Sequence, residues 1–324
     1  MRAFLKNIFI FRSPDGKELV ANMESGILNS YKYINGQFSF DKEIKGHYAG
    51  FNDFEWYPWM SESLPGSDLF VSSSKDLPIQ LWSSGEGKVV SSLTAKDHLD
   101  QVANCLSVTF SPDGQNILCG GLDRMWLFDF NRPGDHVKSE YSIEKKTKSG
   151  FRGLISNLNF RFDNTGVFAA ASFKGTVGIF DYRSIDSPCC VFNAHRNGTS
   201  QAKFLSDGWS LISAGRRDEA LKKWDLRMNS LVMEYKLPQS IRSNQRIYFD
   251  VSDKSVITGS NEDIVEFELE TGEISKSTHM GNVVTSVSAN SNITAFSTGT
   301  RNFCFEDEAI DNDNVSVNGI FFIK

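Results

Sequence analysis

Leu211-Ile-Ser-Ala-Gly-Arg-Arg-Asp-Glu-Ala-Leu-Lys-Lys-Trp-Asp-Leu-Arg227 decides how this 324-residue chain is read. A run of apolar and small residues, Leu211 to Gly215, gives way to the charged stretch Arg216 to Glu219, and a second run ends on Trp224-Asp225. Two short strand-forming runs around a polar turn predict a hairpin. Asp218 stands six residues before Trp224, and the same step joins Asp76 to Trp82 after Val71-Ser-Ser-Ser.

Strand, tight turn and aromatic-aspartate ending return at about 40 residues, the period of WD repeats, with four strands per unit. Length alone would suggest roughly two domains. The repeat instead predicts one all-β domain over residues 1–324, a seven-bladed WD40 β-propeller. Unit one starts with Phe4 to Phe11 and turns at Ser13-Pro-Asp-Gly. Gly46-His47 opens unit two, which holds an insertion from Tyr57 to Asp68, and Asp97-His98 opens unit three. Unit four runs from Ile155 to Asp181, and unit five from Ala194-His195 to Trp224-Asp225. Unit six runs from Arg246 to Phe267. Unit seven holds Val283 to Ser288, Thr294 to Thr298 and Asn302 to Phe305. An acidic loop, 306–314, and a last strand, Val317 to Ile323, follow. That strand either completes unit seven or pairs with unit one.

The formal net charge is −6, and Glu306, Asp307, Glu308, Asp311 and Asp313 supply five of the negative charges. An anionic partner therefore remains compatible with the balance, because local patches set local potential. Five cysteines without a paired spacing predict a reducing compartment. No apolar run reaches the length of a membrane span, and Lys6 and Asn7 interrupt the first apolar stretch, so neither a membrane segment nor a signal peptide is expected.

Phosphate loops, dinucleotide-binding glycine patterns and nucleophile elbows are missing. The chain is expected not to be an enzyme and to take no cofactor, metal or small-molecule substrate. His47, His98 and His195 open units, where a histidine hydrogen-bonds the turn aspartate and a serine on the second strand. Cys119 reads as core.

Loops entering each unit share one face of a propeller with the turns between second and third strands. The cations expected there are Lys145, Lys146, Lys148 and Arg152 entering unit four, and Lys174 in its turn. Arg196 enters unit five, Arg216 and Arg217 lie in its turn, and Arg242 and Arg246 enter unit six. Consecutive units place them on one arc. One reading is an RNA-binding crescent, because arginine makes bidentate phosphate contacts and stacks on unpaired bases. The other is ordinary solvated charge, partly cancelled by Asp218 and Glu219. Trp59, in the insertion, is the aromatic expected to be free for a partner, while Tyr248 reads as strand core. Lys223 stands where an apolar residue is expected: either it snorkels or its strand faces something unusual.

Read together, these segments resemble one subfamily of WD-repeat proteins, the telomerase Cajal body protein family. The resemblance is carried by Asp53-Phe-Glu-Trp-Tyr-Pro-Trp-Met60, Ser72-Ser-Ser-Lys-Asp-Leu-Pro-Ile-Gln-Leu-Trp82 and Asp97-His-Leu-Asp100. Phe110-Ser-Pro-Asp-Gly114, Arg217-Asp-Glu-Ala-Leu221 and Asn244-Gln-Arg-Ile-Tyr-Phe-Asp250 extend it over nearly the whole chain. It implies a nuclear ribonucleoprotein subunit that binds box H/ACA small nuclear RNA or telomerase RNA and acts in its localisation and biogenesis. It places Arg216, Arg217 and Arg246, with Arg161, Lys222 and Arg227 less firmly, on the RNA face. The chain is similar to the shorter, fungal-like members, which points alternatively to spliceosomal RNA and pre-mRNA splicing. A protein-interaction scaffold without RNA contact is the remaining alternative. A monomer within a complex is expected.

Overall fold

The computed structural model describes residues 9–22, 26–47, 50–61, 63–97, 99–132, 138–139, 151–238, 246–289, 294–298 and 319–323. Their strands form seven sheets, six with four strands and one with three. Within each sheet, consecutive strands pair antiparallel, so sheet order follows chain order. The innermost strands are Phe9–Arg12, Asp53–Trp56, Ser107–Phe110, Ile155–Phe160, Thr199–Phe204, Phe249–Val251 and Val284–Ala289. The fold is an all-β, WD-like propeller.

Where the sequence predicts seven units, the described residues form six complete four-stranded blades. The last sheet holds Val284–Ala289, Thr294–Thr298 and Gly319–Ile323. Gly319–Ile323 pairs antiparallel with Thr294–Thr298, so it belongs to the seventh sheet and not to the first. Asn302 to Phe305 and the acidic loop 306–314 lie outside the described residues.

Burial explains the residue choice along each sheet. Second strands are covered on both faces by neighbouring sheets and so read as near-continuous apolar or small runs, as in Val167–Ser172, buried at all but its first position. Outer strands meet solvent, and Lys88–Leu93 is buried only at Leu93. Between the first two blades Phe70 lies between Phe54 (ring centroids 4.5 Å apart) and Trp82 (5.9 Å). Complete burial of rings this size contributes roughly 1.5–3 kcal/mol each.

Hydrogen bonds at the inner strands suture each sheet to the next. Trp56 Nε1 donates to the Phe11 carbonyl (3.2 Å), and Val108 N donates to Asp53 Oδ2 (3.1 Å). Ser107 Oγ donates to the Ile155 carbonyl (3.3 Å). Asn157 and Asn159 accept from the amides of Ala202 and Phe204. Gln201 makes a reciprocal pair with the Phe249 backbone at 2.9 and 3.1 Å. Tyr248 N donates to the Thr285 carbonyl (3.0 Å), and Ile10 N donates to Ser286 Oγ (3.4 Å), which joins the seventh sheet to the first. Each suture satisfies polar groups that the tight ring would otherwise bury without partners.

Candidate nucleic-acid interface

The turn that begins the site is anchored from below. In the fifth blade His195 Nε2 lies 2.8 Å from Ser213 Oγ and its Nδ1 lies 2.5 Å from Asp218 Oδ2. Trp224 Nε1 donates to the same Ser213 hydroxyl at 2.9 Å. Burial pulls the Asp218 carboxyl upward, but the hydrogen bond and charge of His195 hold it below its ordinary value. Asp218 is thereby committed to His195.

The second blade carries a shorter version. His47 Nε2 meets Ser72 Oγ at 2.9 Å and Trp82 Nε1 donates to it at 2.8 Å, but Asp76 is an exposed residue with positive φ. Asp76 lies four residues after its serine, where Asp218 lies five after Ser213. It therefore takes the left-handed position that Arg217 takes in the fifth blade, with φ values of 55° and 52°. The shared six-residue step to tryptophan conceals this difference. A glycine recurs beneath these histidines: a Cβ on Gly26 or Gly175 would stand 2.2 or 1.9 Å from the carbonyl oxygen of His47 or His195.

On the face above, four loops interlock. Phe173 N donates to the Leu154 carbonyl (3.0 Å), Ser172 Oγ donates to the Arg152 carbonyl, and Arg216 N donates to the Gly198 carbonyl (2.8 Å). Lys174 lies against Gly153, whose missing side chain would collide with it. These contacts bring Arg152, Lys174, Arg196, Arg216 and Arg217 onto one arc. Lys174, Arg196 and Arg217 are exposed, while Arg152 and Arg216 are half-buried. At its centre is Phe173, with the Arg216 guanidinium 4.7 Å and that of Arg246 5.8 Å from the ring centroid. Lys145, Lys146, Lys148, Arg242 and His98 lie outside the described residues.

Arg246 is placed differently from the exposed cations. Its Nη1 donates to the carbonyl of Asn52 (3.0 Å) and approaches that of Leu106 (3.5 Å), while Nη2 donates to the carbonyl of Ser156. Three sheets thus hold one guanidinium across the axis, 5.2 Å from the Tyr248 ring centroid. It also faces Asp53, whose buried carboxyl is pushed up to about 6 by desolvation despite Arg246 and the Val108 amide pulling it down. Tyr248 is buried, but it stands immediately before the strand Phe249–Val251 and not within it.

Other cations are spent elsewhere. Lys222 Nζ donates to the Ala194 carbonyl (3.0 Å). Arg161 pairs with Asp163 (2.8 Å) beside the Trp209 ring, and Arg227 pairs with Asp225 (2.7 Å), both in loops of the opposite face. Arg161 and Arg227 therefore cannot join the arc containing Arg216. Lys223 snorkels to the next blade, where Nζ lies 3.4 Å from the Leu269 carbonyl and 3.7 Å from Glu270. Trp59 is 54% exposed, also on the opposite face. Sequence reasoning missed Phe173 and the exposed Leu122 and Leu154 near it. The available signal was an aromatic at a polar turn, Phe173-Lys-Gly175.

Among the described residues no group of three or more His, Cys, Asp or Glu could hold a metal ion, and no helix is long and apolar enough to cross a membrane. No protein-family model matches the chain. Telomerase Cajal body protein 1 of Mus musculus is 28% identical over 287 residues, 84% of this chain and 53% of that protein. Telomerase Cajal body protein 1 homolog of Drosophila melanogaster is 26% identical over 82% of this chain and 49% of that protein. Guanine nucleotide-binding protein negative regulator 1 of Schizosaccharomyces pombe is 26% identical, covering 78% of this chain and 67% of that protein. The chain spans about half the length of the Cajal body proteins it matches.

Proposed function

Because this chain is a homologue of the telomerase Cajal body proteins, we propose that it is an RNA-binding subunit of a nuclear ribonucleoprotein, recognising a small RNA of the box H/ACA or telomerase type. The seventh sheet, sutured to the first through Ser286 and Ile10, is taken as the closing blade. The observation that carries the reading is Arg216 over Phe173, ringed by Arg217, Lys174, Arg196 and Arg152. An aromatic ring and guanidinium planes suit unpaired bases, and exposed cations around them suit phosphates. The names of the Cajal body relatives, telomerase and Cajal body, support a telomerase-type RNA and a nuclear setting. Crosslinking and sequencing of bound RNA in the native cell tests it. Box H/ACA or telomerase RNA should be enriched, spliceosomal RNA would shift the role to pre-mRNA splicing, and background alone would sink RNA binding.

The fission yeast relative, named as a negative regulator of a guanine nucleotide-binding protein, favours a second reading, a protein-interaction scaffold. RNA affinity separates the two: phosphate contacts release counterions and give a steep salt dependence.

A further inference from the structure

The face opposite the cations opens into a second kind of site. A channel cavity of about 520 Å³ runs from the level of Asp53 to the loops joining first and second strands. Its mouth is apolar: Trp59 and Phe162 line it and are 54% and 62% exposed, beside Pro14, Pro58 and Pro112. Its wall is polar, with Asp53, Glu55, Lys203 and Asp250.

The carboxylates of that wall are unevenly paired. Lys203 Nζ is bound to Asp250 Oδ1 at 2.5 Å, and that pairing together with Glu55 raises the ammonium pKa against the desolvation that lowers it. Asp53 accepts from Val108 N and faces Arg246. Arg12 also lines the cavity and is drawn toward Asp250, while its Nε and Nη2 donate to the Gly16 carbonyl. Glu55 has only the more distant attraction of Lys203: among the described residues its carboxyl makes no hydrogen bond or direct ion pair, and it meets channel solvent. Enclosure by the ring, with Asp53 next, pushes it up to about 8 although Lys203 draws it down. A cation placed beside it would favour its ionised form.

We propose that this mouth receives a lysine or arginine side chain carried on an extended peptide of a partner protein, with the cation against Glu55 and flanking apolar residues against Trp59 and Phe162. With Lys203 bound to Asp250 and Arg246 held by backbone carbonyls, the cations here are already committed, so the mouth does not extend the RNA face, and a peptide supplies both the charge and the apolar neighbours the rim asks for. The site stands independently of RNA binding.

The test is an array of randomised decapeptides whose central residue is fixed as Lys, Arg, Gln or Glu, probed at one salt concentration. The expected result is at least a tenfold preference for the Lys and Arg pools over Gln, lost in Glu55→Gln and reduced in Trp59→Ala. Glu234→Gln, an exposed change of equal charge on an outer strand, should leave the preference intact. Absence of preference in the native protein overturns the proposal. So does a preference that survives Glu55→Gln, or one that Glu234→Gln abolishes equally, since either would mean attraction to overall charge. Melting curves of the variants confirm folding; if Glu55→Gln does not fold, the Trp59→Ala surface variant decides, and unchanged binding by it also overturns the proposal.

Discussion

Arg216 lies over the ring of Phe173, two turns of neighbouring blades meeting through one cation and one aromatic. Arg217 beside it is exposed and sits in the left-handed region at φ 52°. A non-glycine residue in that region costs about 1 kcal/mol or more, and such strain collects at functional sites. Arg216→Ala with Arg217→Ala should weaken RNA binding by about 1–3 kcal/mol, the scale of lost base stacking, with little change in melting temperature. Filter binding across a salt series beside calorimetry checks this; an unfolded double variant would make the pair structural.

Arg217→Gly refines the same test. Glycine adopts positive φ without penalty, so the variant should melt at the same temperature or slightly higher while RNA affinity falls. Affinity equal to that of the native protein would remove Arg217 from the interface.

Arg246 should behave in the opposite way. Its removal frees carbonyls of three sheets and strips Asp53 of its nearest opposing cation. Loss of a half-buried charge held this way costs roughly 3–5 kcal/mol, so Arg246→Ala should lower the denaturant midpoint strongly. A variant of native stability would mean that this guanidinium is available for RNA after all.

The two signature tryptophans should differ. Trp82 is 3% exposed and stacked on Phe70, whereas Trp224 is only partly buried. Trp82→Ala should cost about 3–5 kcal/mol, and Trp224→Ala less than that by at least about 1 kcal/mol. Urea titration of both variants gives the comparison.

Stability should also fall on acidification through His47. Burial lowers its pKa from 6.5 to about 4, partly offset by the Ser72 hydrogen bond. Between those values the unfolded chain binds the proton and the folded chain does not. This contribution is therefore fully present above about pH 6.5 and lost as pH falls toward 4. It amounts to roughly 3 kcal/mol. His47→Asn should flatten the pH dependence over that interval in thermal melts; an unchanged slope would place the titration elsewhere.

The repeat period made the propeller legible, since strand runs, turns and unit boundaries are local patterns. The histidine-serine-tryptophan hydrogen bonds followed from it as well. The difference between Asp76 and Asp218 was not legible, because a count back to the tryptophan cannot see a one-residue shift from the serine. Nor was the role of Arg246. Sequence places it in a loop with other cations, and only closure of the ring brings the carbonyls of Asn52, Leu106 and Ser156 around it. Lys223 was anomalous for the same reason: its acceptor, the Leu269 carbonyl, belongs to the next blade. Phe173 and Glu55 gain meaning from residues that the chain order keeps far apart.

Arg246 also sets two chemistries apart. Its guanidinium stands near Phe173 and the exposed cations on one side, and interacts on the other with Asp53, which belongs to the lining of the cavity. A ligand at the tryptophan mouth and a ligand at the arginine rim would therefore meet different residues.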